Sequence, residues 1–240
     1  MIRKMYSERS RTKILTILAV VLFAGSGLYA VPVGHKDFYS SGHILPGEEW
    51  TTVDIYNDNT IVNMLGGFVD QMQTNDSSML NVAGGKIYTI YTRDYSSANI
   101  FGGNVSSVMT WDYATTNLYD GGTVFSLGAR GQSGVVNMTG GTTEYLRAGE
   151  SGIINLYGGV VTNFLDAWDF AIVNIYGYGF DYDPYTGKWI GGQLRGFWFD
   201  NIAFSIDLYD AHTYEHINLI PEPASLMLFS LGVLLIRRNR

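Results

Sequence analysis

Through the middle of the chain, apolar–Asn–apolar triplets recur at near-constant spacing, and most are closed by Gly-Gly. They read Asn63-Met-Leu-Gly-Gly, Asn81-Val-Ala-Gly-Gly, Asn99-Ile-Phe-Gly-Gly, Asn137-Met-Thr-Gly-Gly and Asn155-Leu-Tyr-Gly-Gly. Asn117-Leu-Tyr-Asp-Gly-Gly carries one extra residue, and Asn174-Ile-Tyr-Gly-Tyr-Gly is a degenerate last copy. Four of the six intervals between successive Asn are 18 residues, one is 20 and one is 19. A fixed period of that length is the mark of a solenoid, in which each repeat forms one coil stacked on the last.

The apolar positions form columns. Val62, Leu80, Ala98, Thr116, Val136, Ile154 and Val173 precede the Asn, and Met64, Val82, Ile100, Leu118, Met138, Leu156 and Ile175 follow it. Residues two apart in a strand share a face, so both columns are expected in the core with the Asn side chain turned away. Beyond Gly-Gly come a mostly β-branched column (Val69, Ile87, Val105, Val124, Thr143, Val161) and an apolar one (Met72, Ile90, Val108, Leu127, Leu146, Phe164). Gly-Gly between the two groups supplies the positive-φ corner that a sharp bend requires.

The expected fold is therefore all-β: a parallel β-helix of about seven coils of 18–20 residues, each with two or three short strands. A left-handed hexapeptide helix also gives eighteen residues per turn, but it needs an apolar position every six residues, a period these columns do not keep. A right-handed helix is expected, in line with the usual hand of parallel crossovers. The repeats occupy 54–180, after a leader or cap over 31–53. Where the leader meets the repeats, Val53-Asp54-Ile55-Tyr56 looks like an Asn-type strand half a coil ahead of Asn63 and a candidate N-terminal cap. From 181 to 220 the period is lost. The turn sequence Asp181-Tyr-Asp-Pro-Tyr-Thr-Gly187 and strand-like runs at 188–190, 197–199, 202–209 and 216–220 predict a β cap over the last open coil.

The two ends have a different character. Residues 1–30 hold a basic region, an apolar run at 14–24 and small residues, the three parts of a secretory signal peptide, with cleavage after Gly27 or Ala30. An uncleaved anchor is the competing reading, although eleven apolar residues are short for a span. At the other end, over 221–240, Pro221-Glu222-Pro223 is followed by a mostly apolar run at 224–236 and then Arg237, Arg238 and Arg240. As a helix that run reaches only about 20 Å, against a hydrocarbon core of about 30 Å. A short hydrophobic helix with a basic end suits a temporary stop that leaves the arginines in the cytoplasm.

That tripartite tail resembles the PEP-CTERM sorting signal of exosortase substrates. The resemblance covers the last twenty residues, with Pro221, Glu222, Pro223, Arg237, Arg238 and Arg240 in the family's order. It implies a Gram-negative cell, export by the secretion machinery and transient inner-membrane anchoring. An exosortase-type enzyme would then process the chain near Pro-Glu-Pro. It also implies a destination at the cell surface or in the extracellular, exopolysaccharide-rich matrix of a biofilm.

Charge narrows the partners. The formal net charge is −7, but without the basic ends 7 basic residues face 21 acidic ones. A body that acidic repels phosphate backbones, so no nucleic-acid partner is expected. The chain has no Cys, hence neither disulfides nor thiolate metal sites.

Three constellations stand out. The Asn column reads either as a ladder of stacked amides or as a polar face for sugar hydroxyls. Asp76, Asp94, Asp112 and Glu150 form an acidic column whose members are either solvated or share a cation such as Ca²⁺. The Gly-Gly-x-Gly-x-Asp pattern of calcium β-rolls is absent, and no metal site or cofactor is expected. Trp111, Tyr113 and Trp168, with Tyr91 and Tyr95, lie near that column and are the candidate glycan contacts, with exopolysaccharide the ligand class. Parallel β-helices include polysaccharide lyases and glycoside hydrolases, yet fold does not settle function. The coils leave little room for long loops that would wall a cleft. Catalytic residues are therefore expected to be none. His212 and His216 are four apart, a metal spacing only on a helix, and their segment reads as strand. The expected function is that of an exported structural or adhesive protein. A carbohydrate-binding module is the alternative, and a polysaccharide-degrading enzyme a more distant one.

Overall fold

The computed structural model describes residues 34–221. The signal-like segment and the tail beyond Pro221 lie outside the described residues, and with them the two expected hydrophobic helices. Among the described residues no helix is long and apolar enough to cross a membrane.

The repeats form a parallel β-solenoid of about seven turns, with two strands per coil. Short strands β2 (Gly42–Ile44), β4 (Ile61–Met64), β6 (Met79–Val82), β8 (Ser97–Ile100), β10 (Thr115–Leu118), β12 (Val135–Met138) and β14 (Ile153–Leu156) stack in one sheet. The first half of the long strand β16 (Ile172–Asp183) continues that sheet. The second halves of the coils are longer. They are β3 (Glu49–Ile55), β5 (Phe68–Thr74), β7 (Lys86–Thr92), β9 (Asn104–Thr110), β11 (Thr123–Ala129), β13 (Thr142–Ala148) and β15 (Val160–Ala167), and β1 (His35–Phe38) lies along the free edge of β3.

Strand pairing begins at His35, inside the segment expected as a leader. Val53–Tyr56 does not stack with the Asn triplets. Asp54 pairs with Gln73 in the long-strand sheet, and His43 of β2 is the residue opposite Asn63. Apolar alternation in Val53-Asp54-Ile55 imitates the Asn triplet, but a half-coil offset places it in the other sheet.

Both columns flanking the Asn are fully buried, from Val62 and Met64 to Val173 and Ile175. Each large aliphatic side chain removed from water in this way contributes roughly 1.5–3 kcal/mol. The Gly-Gly corner is enforced by stacking as well as by torsion. Gly103 has φ 81°, and a Cβ there would stand 2.9 Å from the carbonyl oxygen of Gly85 in the coil before.

One column departs from expectation. β15 holds eight residues where its neighbours hold seven, and its register with β13 shifts between Thr143 and Tyr145. Leu165, fully buried, therefore pairs with Leu146, while Phe164 pairs with Tyr145 on the outer face. An extra residue in one strand creates a bulge that turns the following side chain over. Phe164 is nonetheless only 4% exposed, because the C-terminal cap covers it.

That cap consists of the second half of β16, β17 (Gln193–Phe197) and β18 (Ala203–Asp207), an antiparallel meander, followed by a 3₁₀ turn at Thr213–His216 and β19 (Ile217–Pro221). The run 188–190 forms no strand, and β17 ends at Phe197 instead of beginning there. Pro184 and the Gly187 and Gly192 turns, both at positive φ, occupy that stretch. Two edges are closed. Leu208 bridges Leu165, with Tyr209 N–H donating to the Leu165 carbonyl at 2.9 Å, and β19 pairs in parallel with β16. An open β edge would otherwise invite pairing with other chains.

Candidate functional site

Because the triplets stack in register, each Asn side chain stands above the last on the outer face of the short-strand sheet. Asn81 Nδ2 donates to Asn63 Oδ1 at 2.9 Å, Asn99 to Asn81 at 2.9 Å and Asn117 to Asn99 at 2.8 Å. Asn137 donates to Asn117 at 2.9 Å, Asn155 to Asn137 at 2.8 Å and Asn174 to Asn155 at 2.8 Å. All bonds run the same way along the axis, so the amide dipoles polarise one another. The eighth member is Asn218 on β19, which donates to Asn174 at 3.1 Å and was not found from the period. Its signal was the triplet Ile217-Asn218-Leu219, a copy of Ile154-Asn155-Leu156 displaced by the cap.

The acidic column lies on the opposite corner, where each long strand turns back into the next coil. Asp76, Asp94, Asp112 and Glu150 all adopt left-handed backbone, with φ between 55° and 57°. Asp and Asn tolerate this region because their short polar side chains bond locally. Here the bond reaches across coils. Asp76 Oδ2 accepts from Asn57 N–H at 2.8 Å, Asp94 Oδ2 from Asp76 N–H at 3.1 Å, and Glu150 Oε2 from Gly131 N–H at 3.1 Å. Those carboxylates are acceptors for the turn before them. Asn57 and Asp169 belong to the same column, at φ 71° and 59°. Asp169 was missed because the bulge at Phe164 displaces the position by one residue.

Inside that corner the core is polar. Buried Thr74 and Ser96 hydroxyls lie 2.9 Å apart, and Thr110 donates to Thr116 at 2.7 Å. Pairing hydroxyls with one another removes the penalty of burying them singly.

Trp111, Tyr113 and Trp168 all map to the acidic corner. Tyr113 stacks on Tyr95, ring centres 5.2 Å apart and nearly parallel, and its hydroxyl donates to Gln132 at 2.9 Å. Trp168 lies across Gly149, where any side chain would collide with its ring, and the Arg130 guanidinium stands 5.2 Å from that ring. Three coil steps separate Trp111 from Trp168, about 14 Å. In the Tyr95–Tyr113 pair each ring covers a face of the other, leaving edges and end faces for a ligand.

A second aromatic surface, not foreseen, forms at the cap. Tyr185, Lys188, Trp189, Ile190, Tyr209 and Asp210 line an open groove. Trp189 is fixed by its Nε1 donating to Asn163 Oδ1 at 3.1 Å, and Lys188 Nζ donates to the Thr162 carbonyl at 3.2 Å. Beneath the groove, Phe164 packs against both Trp189 and Tyr209. Burial raises the pKa of Asp166, and the nearby Asp210 carboxylate raises it further, against the pull of Arg147 and Arg130. Sequence offered no route to this pairing, which joins residues 44 positions apart through the docking of Tyr209 on Leu165.

The histidines are also placed. Residues 213–216 form a 3₁₀ turn and not the strand expected for them, and His216 Nδ1 donates to the Ala171 carbonyl at 3.0 Å. His212 lies 3.8 Å from Glu215. Pro221, the first residue of the tail motif, ends β19 and pairs with Gly177. Compared with known proteins, the chain matches no family model, no curated protein and no solved structure.

Proposed function

We propose that this chain is an exported structural or adhesive protein of the cell surface or extracellular matrix, sorted by an exosortase-type system. The observation that carries the reading is the Asn ladder. Polar side chains that could converge on a ligand are instead bonded to one another along the coils, from Asn63 to Asn218. Such self-bonding stiffens a rod against local opening. The acidic corner works the same way, with Asp76, Asp94 and Glu150 each tying down the coil before it. The right-handed winding belongs to this reading and rests on the general rule for parallel crossovers.

The sorting part rests on the tail resemblance, with transient inner-membrane anchoring and processing near Pro221, Glu222 and Pro223. Because β19 runs up to Pro221, cleavage beyond that residue would leave the last rung of the ladder in place. The intact mass of the protein recovered from its native host tests this part. Loss of both the N-terminal signal and the residues after Pro223 supports sorting and release. A mass that retains the tail sinks it.

A second reading, carbohydrate binding, is favoured by the groove at the cap, where Trp189 and Tyr209 stand on a fixed apolar bed. Planar rings of this kind stack on sugar faces. Exopolysaccharide pull-down with W189A and W111A separates the groove from the corner, and retention by both variants removes the reading. A polysaccharide-degrading activity would release reducing ends from some glycan, and failure across a broad substrate panel removes it.

A further inference from the structure

At the N-terminal end of the solenoid, three ligand-type side chains converge, two of them ahead of the first coil. His35 and Asp37 alternate with Lys36 along β1, so they share a face. The parallel register sets Asp37 directly beside Asp54 of β3. Val53 and Ile55, on either side of Asp54, both fill the core, which turns the Asp54 carboxylate to the outer face and toward β1.

The geometry is close. His35 Nε2 lies 2.8 Å from Asp37 Oδ1 and 3.5 Å from Asp54 Oδ2. One ligand atom from each residue falls within 4.8 Å of the other two. Asp54 is only 7% exposed although it sits on the outer face. Its Oδ1 is buried and has no hydrogen-bond partner. A carboxylate oxygen left in that state is costly, because it loses its water without gaining a donor. The stacked rings of Tyr39 and Tyr56, 5.3 Å apart, stand beside the group. Loss of hydration raises the Asp54 pKa; His35 opposes this, Asp37 adds to it, and the Tyr56 hydroxyl and Arg93 oppose it further.

We propose that His35, Asp37 and Asp54 bind one divalent transition-metal ion, with the largely buried Asp54 carboxylate as the fixed ligand and the remaining coordination positions open to water. One imidazole nitrogen with two carboxylate oxygens is a borderline donor set, suited to Zn²⁺ or Mn²⁺ and short of the all-oxygen cage that Ca²⁺ takes. The ion would join β1, the edge strand, to β3 and so hold the first strand of the solenoid by mass action. The repeat period gave no hint of it, because two of the three ligands precede the first coil.

The test uses the purified, untagged full-length chain, stripped with EDTA and titrated with ZnCl₂ in equilibrium dialysis. One saturable site per chain is expected, with a Tm that rises as the site fills. H35Q, on an exposed face, and D54N should each weaken binding by at least about tenfold. H212Q, altering a histidine away from the site, should bind as the parent does. H35Q keeps the test valid if D54N fails to fold. Absence of saturable binding, or unchanged affinity in H35Q, overturns the proposal.

Discussion

Asn218 Nδ2 donates to Asn174 Oδ1 at 3.1 Å across 44 residues of sequence, and so extends a ladder that the regular period ends at Asn174. The strand that carries Asn218, β19, returns to the solenoid only after the cap has been built. An internal rung and the terminal one should therefore differ in worth.

Asn117 both donates to Asn99 and accepts from Asn137, at 2.8 and 2.9 Å. N117A removes two bonds and leaves two half-buried amide groups without their partner, a loss of about 2 kcal/mol at roughly 1 kcal/mol per bond. N218A removes one exposed bond and should cost about half of that or less. Urea unfolding monitored by circular dichroism gives both values. Equal losses would mean that the ladder bonds do not set stability.

At the acidic corner, backbone torsion and carboxylate acceptance can be separated. Asp94 has φ 55° and accepts from Asp76 N–H. D94N keeps both the tolerance of this backbone and an acceptor, and should be near neutral. D94G keeps only the first, and D94A neither, losing about 1–2 kcal/mol. The order of melting temperatures, Asn above Gly above Ala, is the expected outcome. A D94N variant as damaged as D94A would point to a role for the negative charge itself.

Glu48 carries a pH signature. Leu45 N–H donates to its Oε2 at 2.6 Å and holds its pKa below the usual carboxylate range, against a smaller opposing effect of burial and with help from Lys36. A depressed folded-state pKa gives stability that is present above the unfolded value and lost as pH falls through the folded one. E48Q should flatten that acid limb. Melting temperatures measured from neutral pH down to about pH 3 check it, and parallel curves for variant and parent would refute it.

The bulge on β15 yields a test of how the cap is attached. Phe164 packs on Trp189 and Tyr209, whereas Leu165 faces the core. F164A should speed hydrogen exchange through 184–210 and leave the central coils protected. L165A opens a core cavity at about 2–5 kcal/mol and should destabilise the coils as well. Hydrogen-exchange mass spectrometry distinguishes the two patterns.

The sequence by itself determined the coil. Apolar columns around each Asn, Gly-Gly at one corner and an acid at the other repeat because every coil meets the same neighbours, so local pattern and long-range contact carry the same information. That made the parallel β-solenoid, the outward Asn column and the grouping of Trp111, Tyr113 and Trp168 on one edge legible. Tertiary structure decided whatever broke the period. The extra residue in β15 inverted Phe164 and Leu165 and hid Asp169, because strand facing alternates with each residue counted. The cap, an antiparallel meander that no repeat encodes, returned the chain so that Tyr209 met Leu165 and Asn218 met Asn174 in parallel pairing. His35 and Asp37 met Asp54 only because β1 lies along the free edge of β3, a neighbour relation set by strand order and invisible in residue spacing.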